Sequence, residues 1–235
     1  NMKYINGVLQ NIVKFVKTNK VVLIKSTVPI HTAKKFREYF AKHSPKIKFS
    51  VVSNPEFLRE GSAVHDFNHP DRIVIGCNDE RGRDVAKVLY GSLINKGVPV
   101  VYCSNQTAEF IKYCANSYLA MRIGFINEMS DIAEKIGADI DEVAYGIGLD
   151  KRIGCHYLKA GPGFGGSCFP KDTKALVNYS SEVKAKSLIV DAVIKSNNAR
   201  KKSMAQKIIS ALGSKVKGKT VAILGMSFKA DTDDI

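Results

Sequence analysis

Residues 107–136 read TAEFIKYCANSYLAMRIGFINEMSDIAEKI, and Gly124 is the only helix-weakening residue among them. Apolar side chains recur in this segment at steps of three and four residues, which is the period of one helical face. Gly137 follows directly and suits a helix C-cap, because glycine readily adopts a positive φ. The spacing therefore predicts one long helix in the middle of the chain.

Short apolar segments alternate with helical spacing before this long helix. Helices are predicted over 4–18, 32–42 and 83–93, and strands over 20–25, 48–52, 72–77 and 98–103. Helices that alternate with short buried strands form a parallel sheet covered on both faces. We therefore expect an α/β fold with a parallel sheet in the first part of the chain.

The chain after the long helix is predicted to be helical and then to return to a strand. Asp139 starts a helix that runs to about Ile147, Pro170 opens another, a third covers 186–212, and 219–224 form a strand. This order predicts three domains, over 1–104, 105–213 and 214–235. Each sheet needs more strands than the chain supplies, so we expect a fragment that lacks both ends of a longer protein.

The composition is typical of a globular protein with a basic surface. Apolar residues make up 45% and charged residues 25%, and the net charge is +14. No apolar run approaches the roughly 20 residues of a membrane span, so we expect no membrane partner. The lysines are scattered and not interleaved with aromatics, so we expect no nucleic-acid partner, although a basic nucleic-acid-binding domain is kept as an alternative.

The five cysteines predict a reduced, cytoplasmic protein. They form no CxxC pair and their number is odd, and we expect neither disulfides nor a metal site. Cys77, Cys103 and Cys114 lie in apolar runs and are expected to be buried as small hydrophobic residues.

Residues 161–172 read GPGFGGSCFPKD and combine four glycines with one cysteine. Pro170 suits the first position of a helix, which would place Cys168 at a helix N-terminus with Lys171 nearby. A helix N-terminus and a nearby lysine both favour the thiolate, which is the nucleophilic form of cysteine. A buried core cysteine is the alternative, but so many glycines make a poor core. The segment predicts a reactive thiol in a loop that lies close to a ligand, with Asp172 one turn further on.

Three other polar groups accompany this loop. Ser26 and Thr27 end a predicted strand, where they would face a ligand or simply cap the next helix. Glu56 and Glu60 are four residues apart with Arg59 between them, like a pair on a short helix, and Glu56 suits a general base. Their alternative is a surface turn with ordinary salt bridges.

Lys112 and Asn116 are also four residues apart, on one face of the long helix. A lysine and an amide so placed would stabilise a developing oxyanion and orient a reacting group. A solvated helix edge is the alternative.

Together these motifs resemble the UDP-glucose 6-dehydrogenases, a branch of the UDP-glucose/GDP-mannose dehydrogenase family. The resemblance rests on 26–29 (STVP), 54–63, 71–76 (DRIVIG), Lys112 with Asn116, 161–172 and 225–229 (GMSFK), in that order. It implies two Rossmann-like domains on either side of a dimerising long-helix domain. It also implies NAD as cofactor and a four-electron oxidation of UDP-glucose at C6, through a cysteine thiohemiacetal and thioester.

The resemblance assigns a role to each matching residue. Cys168 corresponds to the nucleophile, Lys112 and Asn116 to the oxyanion-stabilising pair, Glu56 to the acid/base, and Asp172 and Thr27 to the residues that hold water. Cofactor contacts are implied for Ser26, Thr27, Val28, Glu60 and Lys171. Substrate contacts are implied for Glu56, Phe57, Leu58, Arg59, Lys112, Asn116, Arg152, Lys159, Phe164, Gly165, Phe228 and Lys229, with Arg152 acting across a homodimer or higher homo-oligomer.

The chain departs from the family pattern at three places. The G-x-G-x-x-G turn and most of the second nucleotide-binding domain are absent, so the fragment alone is expected to be inactive. Ile30-His31 replaces the usual Val-Gly after Pro29.

GDP-mannose and UDP-N-acetylhexosamine remain alternative substrates, and a non-catalytic dimerising core is the rival interpretation of the fragment.

Overall fold

The computed structural model describes residues 2–213, 216–225, 227, 229 and 232. It divides into two compact units, residues 1–112 and 113–235. The described elements are, in chain order, α1 (Lys3–Phe15), β1 (Lys20–Ile24), α2 (Thr32–His43), β2 (Phe49–Ser53), α3 (Ala63–Asn68), β3 (Ile73–Cys77), α4 (Glu80–Leu89), α5 (Gly91–Asn95), β4 (Val100–Cys103), α6 (Asn105–Ile136), α7 (Ile140–Gly148), α8 (Phe169–Glu182) and α9 (Leu188–Ala211).

The first unit contains a four-stranded sheet in the order β1-β2-β3-β4. β1 and β2 are parallel, as are β3 and β4, which confirms the α/β class. β2 and β3 are antiparallel, so the prediction of a wholly parallel sheet was wrong at this step. A parallel crossover normally needs a helix that covers the sheet, and the six-residue α3 between these strands buries none of its residues.

Helices cover both faces of this sheet. Adjacent residues Val51 and Val52 of β2 are both fully buried, and they belong to different apolar clusters because successive side chains point to opposite faces. Phe36 and Phe40 of α2 pack in the first cluster. Each such side chain contributes about 1.5–3 kcal/mol by leaving water.

The second unit contains most of the long helix and the three helices that follow it. The long helix is confirmed as α6, and it ends where Gly137 takes a φ of +73°. Asp139 caps α7 by accepting hydrogen bonds from two backbone N–H groups. Pro170 lies in the first turn of α8, as expected. Ala120, Phe164 and Val193 form a small core of α6, the loop before α8, and α9.

Several local predictions were wrong. The helix predicted over 83–93 is two helices, and it breaks at Tyr90, whose buried hydroxyl bonds to Asn54. Residues 54–61 form no helix, because local side-chain bonds compete with helical ones: Glu56 accepts from the Leu58 N–H, and Arg59 binds Asp66.

Two expectations about burial and strands also failed. Cys103 is half-buried and Cys114 is exposed, since Cys114 lies on an outward face of α6; Cys77 is buried as expected. Residues 219–224 form no strand, because they have no neighbouring strand among the described residues to complete their hydrogen bonds. Among the helices of the described residues, none has the length and apolarity needed to cross a membrane.

Candidate active site

A small pocket lies at the carboxyl ends of the parallel strands β1 and β2, within the first unit. Open α/β sheets bind ligands at this edge. The lining combines three hydroxyl side chains, a carboxylate and an amine with apolar groups: Ile24, Ser26, Thr27, Val28, Ser53, Pro55, Glu109 and Lys112. The predicted residues Ser26, Thr27, Val28 and Lys112 therefore lie around one pocket.

Lys112 is held against the segment that follows β2. It is only 4% exposed, so it is not the solvated helix edge that the sequence left open. Its Nζ donates to the Glu56 carbonyl at 2.6 Å and lies 3.3 Å from Glu56 Oε1. The Glu56 carboxylate also accepts from the Leu58 N–H at 2.6 Å. An ammonium and a carboxylate are thus paired at the rim of the pocket.

The Phe57 ring contacts two cations. The Arg72 guanidinium stacks 3.7 Å from its ring centroid, and Lys112 Nζ lies 5.2 Å from it. Burial lowers the pKa of Arg72, and the nearby Asp71 acts in the opposite direction. The ring therefore helps to fix the position of the Lys112 ammonium.

Asn54 fixes the start of the Glu56 segment. It is 1% exposed, accepts from Lys25 Nζ at 3.0 Å and from Tyr90 Oη at 2.5 Å, and donates to the Val74 carbonyl at 2.7 Å. These bonds connect the ends of β1 and β2 to β3. The backbone that presents Glu56 consequently starts from a fully bonded residue.

Glu109 is a site residue that sequence reasoning missed. Its carboxylate is 4% exposed and accepts from the His31 N–H at 2.6 Å, the Ala33 N–H at 2.9 Å and Ser53 Oγ at 3.2 Å. Burial raises the pKa of Glu109, and these hydrogen bonds oppose the increase. The sequence feature that could have identified Glu109 was its position three residues before Lys112 on the same helix.

Arg59 and Glu60 lie away from the pocket lining. Arg59 makes an ion pair with Asp66, with Nη2 at 2.7 Å from Oδ1, and this arginine holds the pKa of Asp66 well below its usual range. Glu60 is exposed on a turn. Their ligand contacts therefore stay predictions.

In the second unit, Cys168 occupies the N-cap position of α8 with an exposed thiol. Its carbonyl accepts from the Asp172 N–H at 2.9 Å, which closes the first turn. Asp172 is 1% exposed, and its two oxygens accept from Asn116 Nδ2 and from Lys171 Nζ, each at 2.6 Å. The predicted residues Asn116, Asp172 and Lys171 thus form one network at the start of the helix that carries the thiol.

The glycine loop is held by its backbone. Asn197 of α9 accepts from the Phe164 N–H at 2.8 Å and donates to the Phe164 carbonyl at 3.0 Å, and Asn127 accepts from the Gly161 N–H at 2.7 Å. The Phe164 ring is buried edge-on to Phe169. No sequence signal identified Asn197, because its partner is 33 residues away.

The remaining predicted substrate residues lie at the surface or outside the described part. Arg152 is paired with Asp150 at 2.6 Å and its side chain is 88% exposed. Lys159 and Lys229 are exposed, and Gly165 is half-buried beside Phe164. Phe228 lies outside the described residues.

Comparison with known proteins identifies two matching domains. Residues 1–94 match the NAD binding domain of the UDP-glucose/GDP-mannose dehydrogenase family, and residues 106–199 match its central domain. The UDP-glucose 6-dehydrogenase of Rickettsia typhi is 46% identical over 235 residues, which are 100% of this chain and 54% of that protein. UDP-glucose 6-dehydrogenase YwqF of Bacillus subtilis is 47% identical over 236 residues, 100% of this chain and 53% of that protein.

A solved structure shares the fold. A UDP-glucose dehydrogenase from the hyperthermophilic archaeon Pyrobaculum islandicum superposes with a TM-score of 0.84 at 39% identity, covering 90% of this chain and 49% of that one. The chain therefore spans about half the length of the relatives that it matches.

Proposed function

Since the chain belongs to the UDP-glucose/GDP-mannose dehydrogenase family, we propose that the whole protein oxidises UDP-glucose to UDP-glucuronate with NAD+. One observation carries the proposal: Cys168, with an exposed thiol, occupies the N-cap position of α8, one turn before the buried Asp172–Asn116 network. The names of relatives at 46–47% identity support the choice of sugar nucleotide. GDP-mannose and UDP-N-acetylhexosamines are the alternative substrates.

The pocket of the first unit is proposed to hold one side of NAD+. Hydroxyl, carboxylate and amine side chains at the carboxyl ends of parallel strands suit the amide and hydroxyl groups of this cofactor. Ser26, Thr27 and Val28 would hold it there, with Glu60 and Lys171 as further contacts. When bound, NAD+ accepts a hydride from the sugar carbon, twice in each catalytic cycle.

Cys168 acts as the covalent nucleophile in this proposal. The first oxidation converts the sugar alcohol to an aldehyde, and the thiolate adds to its carbonyl carbon, giving a thiohemiacetal. Loss of the second hydride gives a thioester, which water cleaves to the carboxylate and the free thiol. One alcohol, one water and two NAD+ thus give one carboxylate, two NADH and three protons.

The polar side chains provide charge stabilisation and proton transfer. Lys112, with its ammonium fixed by Glu56 and Phe57, stabilises the oxyanion of the covalent adducts. Glu56 accepts a proton from the water that cleaves the thioester. Asp172 and Thr27 hold that water, and Asn116 keeps Asp172 oriented through their 2.6 Å bond.

The UDP-sugar is proposed to contact the Glu56–Arg59 segment, Lys159, the loop at Phe164 and Gly165, and Phe228 and Lys229. Lysine and arginine side chains suit a diphosphate, and backbone groups of a close-fitting loop suit sugar hydroxyls. The five free cysteines are compatible with a reducing, cytoplasmic location.

The long helix is proposed to form a homodimer. Tyr118, Phe125, Ile132 and Ile136 are all exposed on α6, and the first three are spaced by seven residues. Apolar side chains at this spacing make a continuous stripe that a second copy can cover. Arg152, exposed on the loop after α7, is proposed to act on the substrate of the partner subunit.

The test is NADH formation by full-length protein given UDP-glucose, GDP-mannose or UDP-N-acetylmannosamine in parallel. We expect UDP-glucose to give a kcat/KM at least about tenfold above the others, the discrimination that one well-matched polar contact provides. A higher kcat/KM with either rival would assign the substrate to that branch. Absence of NADH with all three would reject the dehydrogenase proposal.

A further inference from the structure

Glu109 is a buried carboxylate to which the proposed chemistry gives no step. It lies on α6 one turn before Lys112, and its two oxygens accept three hydrogen bonds from residues 31, 33 and 53. A buried carboxylate is costly unless such donors surround it. Its place in the pocket lining makes it a candidate for a role other than packing.

Each donor belongs to a segment that forms a wall of the pocket. His31 lies in the turn that follows residues 26–29 and precedes α2, Ala33 lies in the first turn of α2, and Ser53 ends β2 just before the Glu56 segment. Glu109 itself belongs to the helix that carries Lys112. One carboxylate therefore connects both walls of the pocket to the helix of the proposed oxyanion-stabilising lysine.

The backbone conformation of His31 requires a strong hydrogen-bond acceptor at this point. Its φ is 71°, in the left-handed region that non-glycine residues adopt only under constraint. Glycine takes this conformation freely, whereas histidine does not. The 2.6 Å bond from the His31 N–H to Glu109 holds the turn in a conformation that histidine disfavours.

We propose that Glu109 is a positioning residue for the cofactor side of the pocket. Its ionised carboxylate fixes the turn that presents Ser26, Thr27 and Val28, and holds that turn at a set distance from Lys112. The inference rests on the proposed function, because that turn is taken to face NAD+.

The test uses full-length Glu109→Gln protein and calorimetric binding of NAD+ without a sugar nucleotide. Glutamine has nearly the same shape, but it replaces one acceptor oxygen with an N–H donor that faces another N–H. We expect the Kd for NAD+ to increase about tenfold, the usual effect of losing a hydrogen bond to a charged group. The Kd for UDP-glucose should stay within about twofold, a split that general destabilisation would not produce.

The His31→Gly variant provides the second arm. Because glycine adopts a positive φ freely, Glu109→Gln in this background should weaken NAD+ binding by only about threefold or less. Glu128→Gln, an exposed position on the same helix, is the matched control and should change nothing.

An unchanged Kd for NAD+ in Glu109→Gln, or an equal effect in both backgrounds, would overturn the positioning role. If Glu109→Gln fails to fold, the double variant with His31→Gly is measured instead, and failure of both means that the role is structural only. Wild-type protein that binds NAD+ but oxidises no sugar nucleotide would reject the proposed function and leave this inference standing. Wild-type protein that binds no NAD+ would reject both.

Discussion

At the residue scale, the structure depends on a few backbone positions that the sequence marks only as glycine. Gly163 and Gly161 lie two residues apart in the loop before Cys168. Gly163 has a φ of +124°, and a Cβ there would lie 2.9 Å from Asn197 Oδ1, whereas a Cβ at Gly161 would meet nothing within 4 Å. Two residues with the same sequence signal therefore have different tolerance to substitution.

This difference gives a paired prediction. Gly163→Ala should lower the free energy of unfolding by about 1–3 kcal/mol, because alanine is strained at this φ and its methyl group displaces the Asn197 side chain from the Phe164 backbone. It should also lower kcat by disturbing the loop that carries Cys168. Thermal melting and initial rates of the full-length protein measure both effects.

Gly161→Ala is the control for this prediction. It keeps the backbone bonds to Asn127 and Arg200, and it should change stability by less than about 0.5 kcal/mol. Equal effects of the two substitutions would show that the contact between the loop and Asn197 is not what makes Gly163 necessary.

Single residues also show which parts of the candidate site could be predicted from the sequence. Lys112, Asn116, Cys168 and Asp172 were predicted as site residues because they stand out in apolar or glycine-rich surroundings. Glu109 and Asn197 were missed, since their partners are 78 and 33 residues away in the chain and only the fold brings them together. A sequence motif identifies a chemically distinctive side chain more easily than it identifies the residues that hold that side chain in place.

At the element scale, the periodicity of apolar side chains predicted those helices and strands of the first 213 residues whose own segments carry a regular pattern. The long helix, its glycine cap and the proline-opened α8 all follow from local rules. The errors came from side-chain hydrogen bonds and ion pairs, some local and some tertiary. Tyr90 interrupts a helix to reach Asn54, and Arg59 turns away from both glutamates to pair with Asp66.

The exposed stripe on α6 carries the prediction at this scale. Phe125→Glu places a charge in the middle of the proposed dimer contact and should shift full-length protein toward monomer, raising the dimer dissociation constant at least about tenfold. Sedimentation equilibrium measures the shift.

Ile189→Glu is the matched control, since Ile189 is an equally apolar, exposed residue on α9. It should leave the dimer intact. A Phe125→Glu protein with the mass distribution of the wild type would place the subunit contact elsewhere.

At the scale of the whole molecule, the chain contains the exposed Cys168 thiol and the Asn116–Asp172 network but spans only about half the length of its relatives. The sequence order of the motifs predicted the family, and the matched domains confirm it. The strand direction between β2 and β3 did not follow from the sequence, because hydrophobic alternation does not encode which way a strand runs.

In the proposed reaction, one cysteine carries the sugar through two successive oxidations. The direct measurement is the amount of NADH released when full-length protein consumes a limiting amount of UDP-glucose in excess NAD+. Two NADH for each UDP-glucose, with UDP-glucuronate as the product, is the predicted result. One NADH for each sugar, with the aldehyde set free, would contradict it.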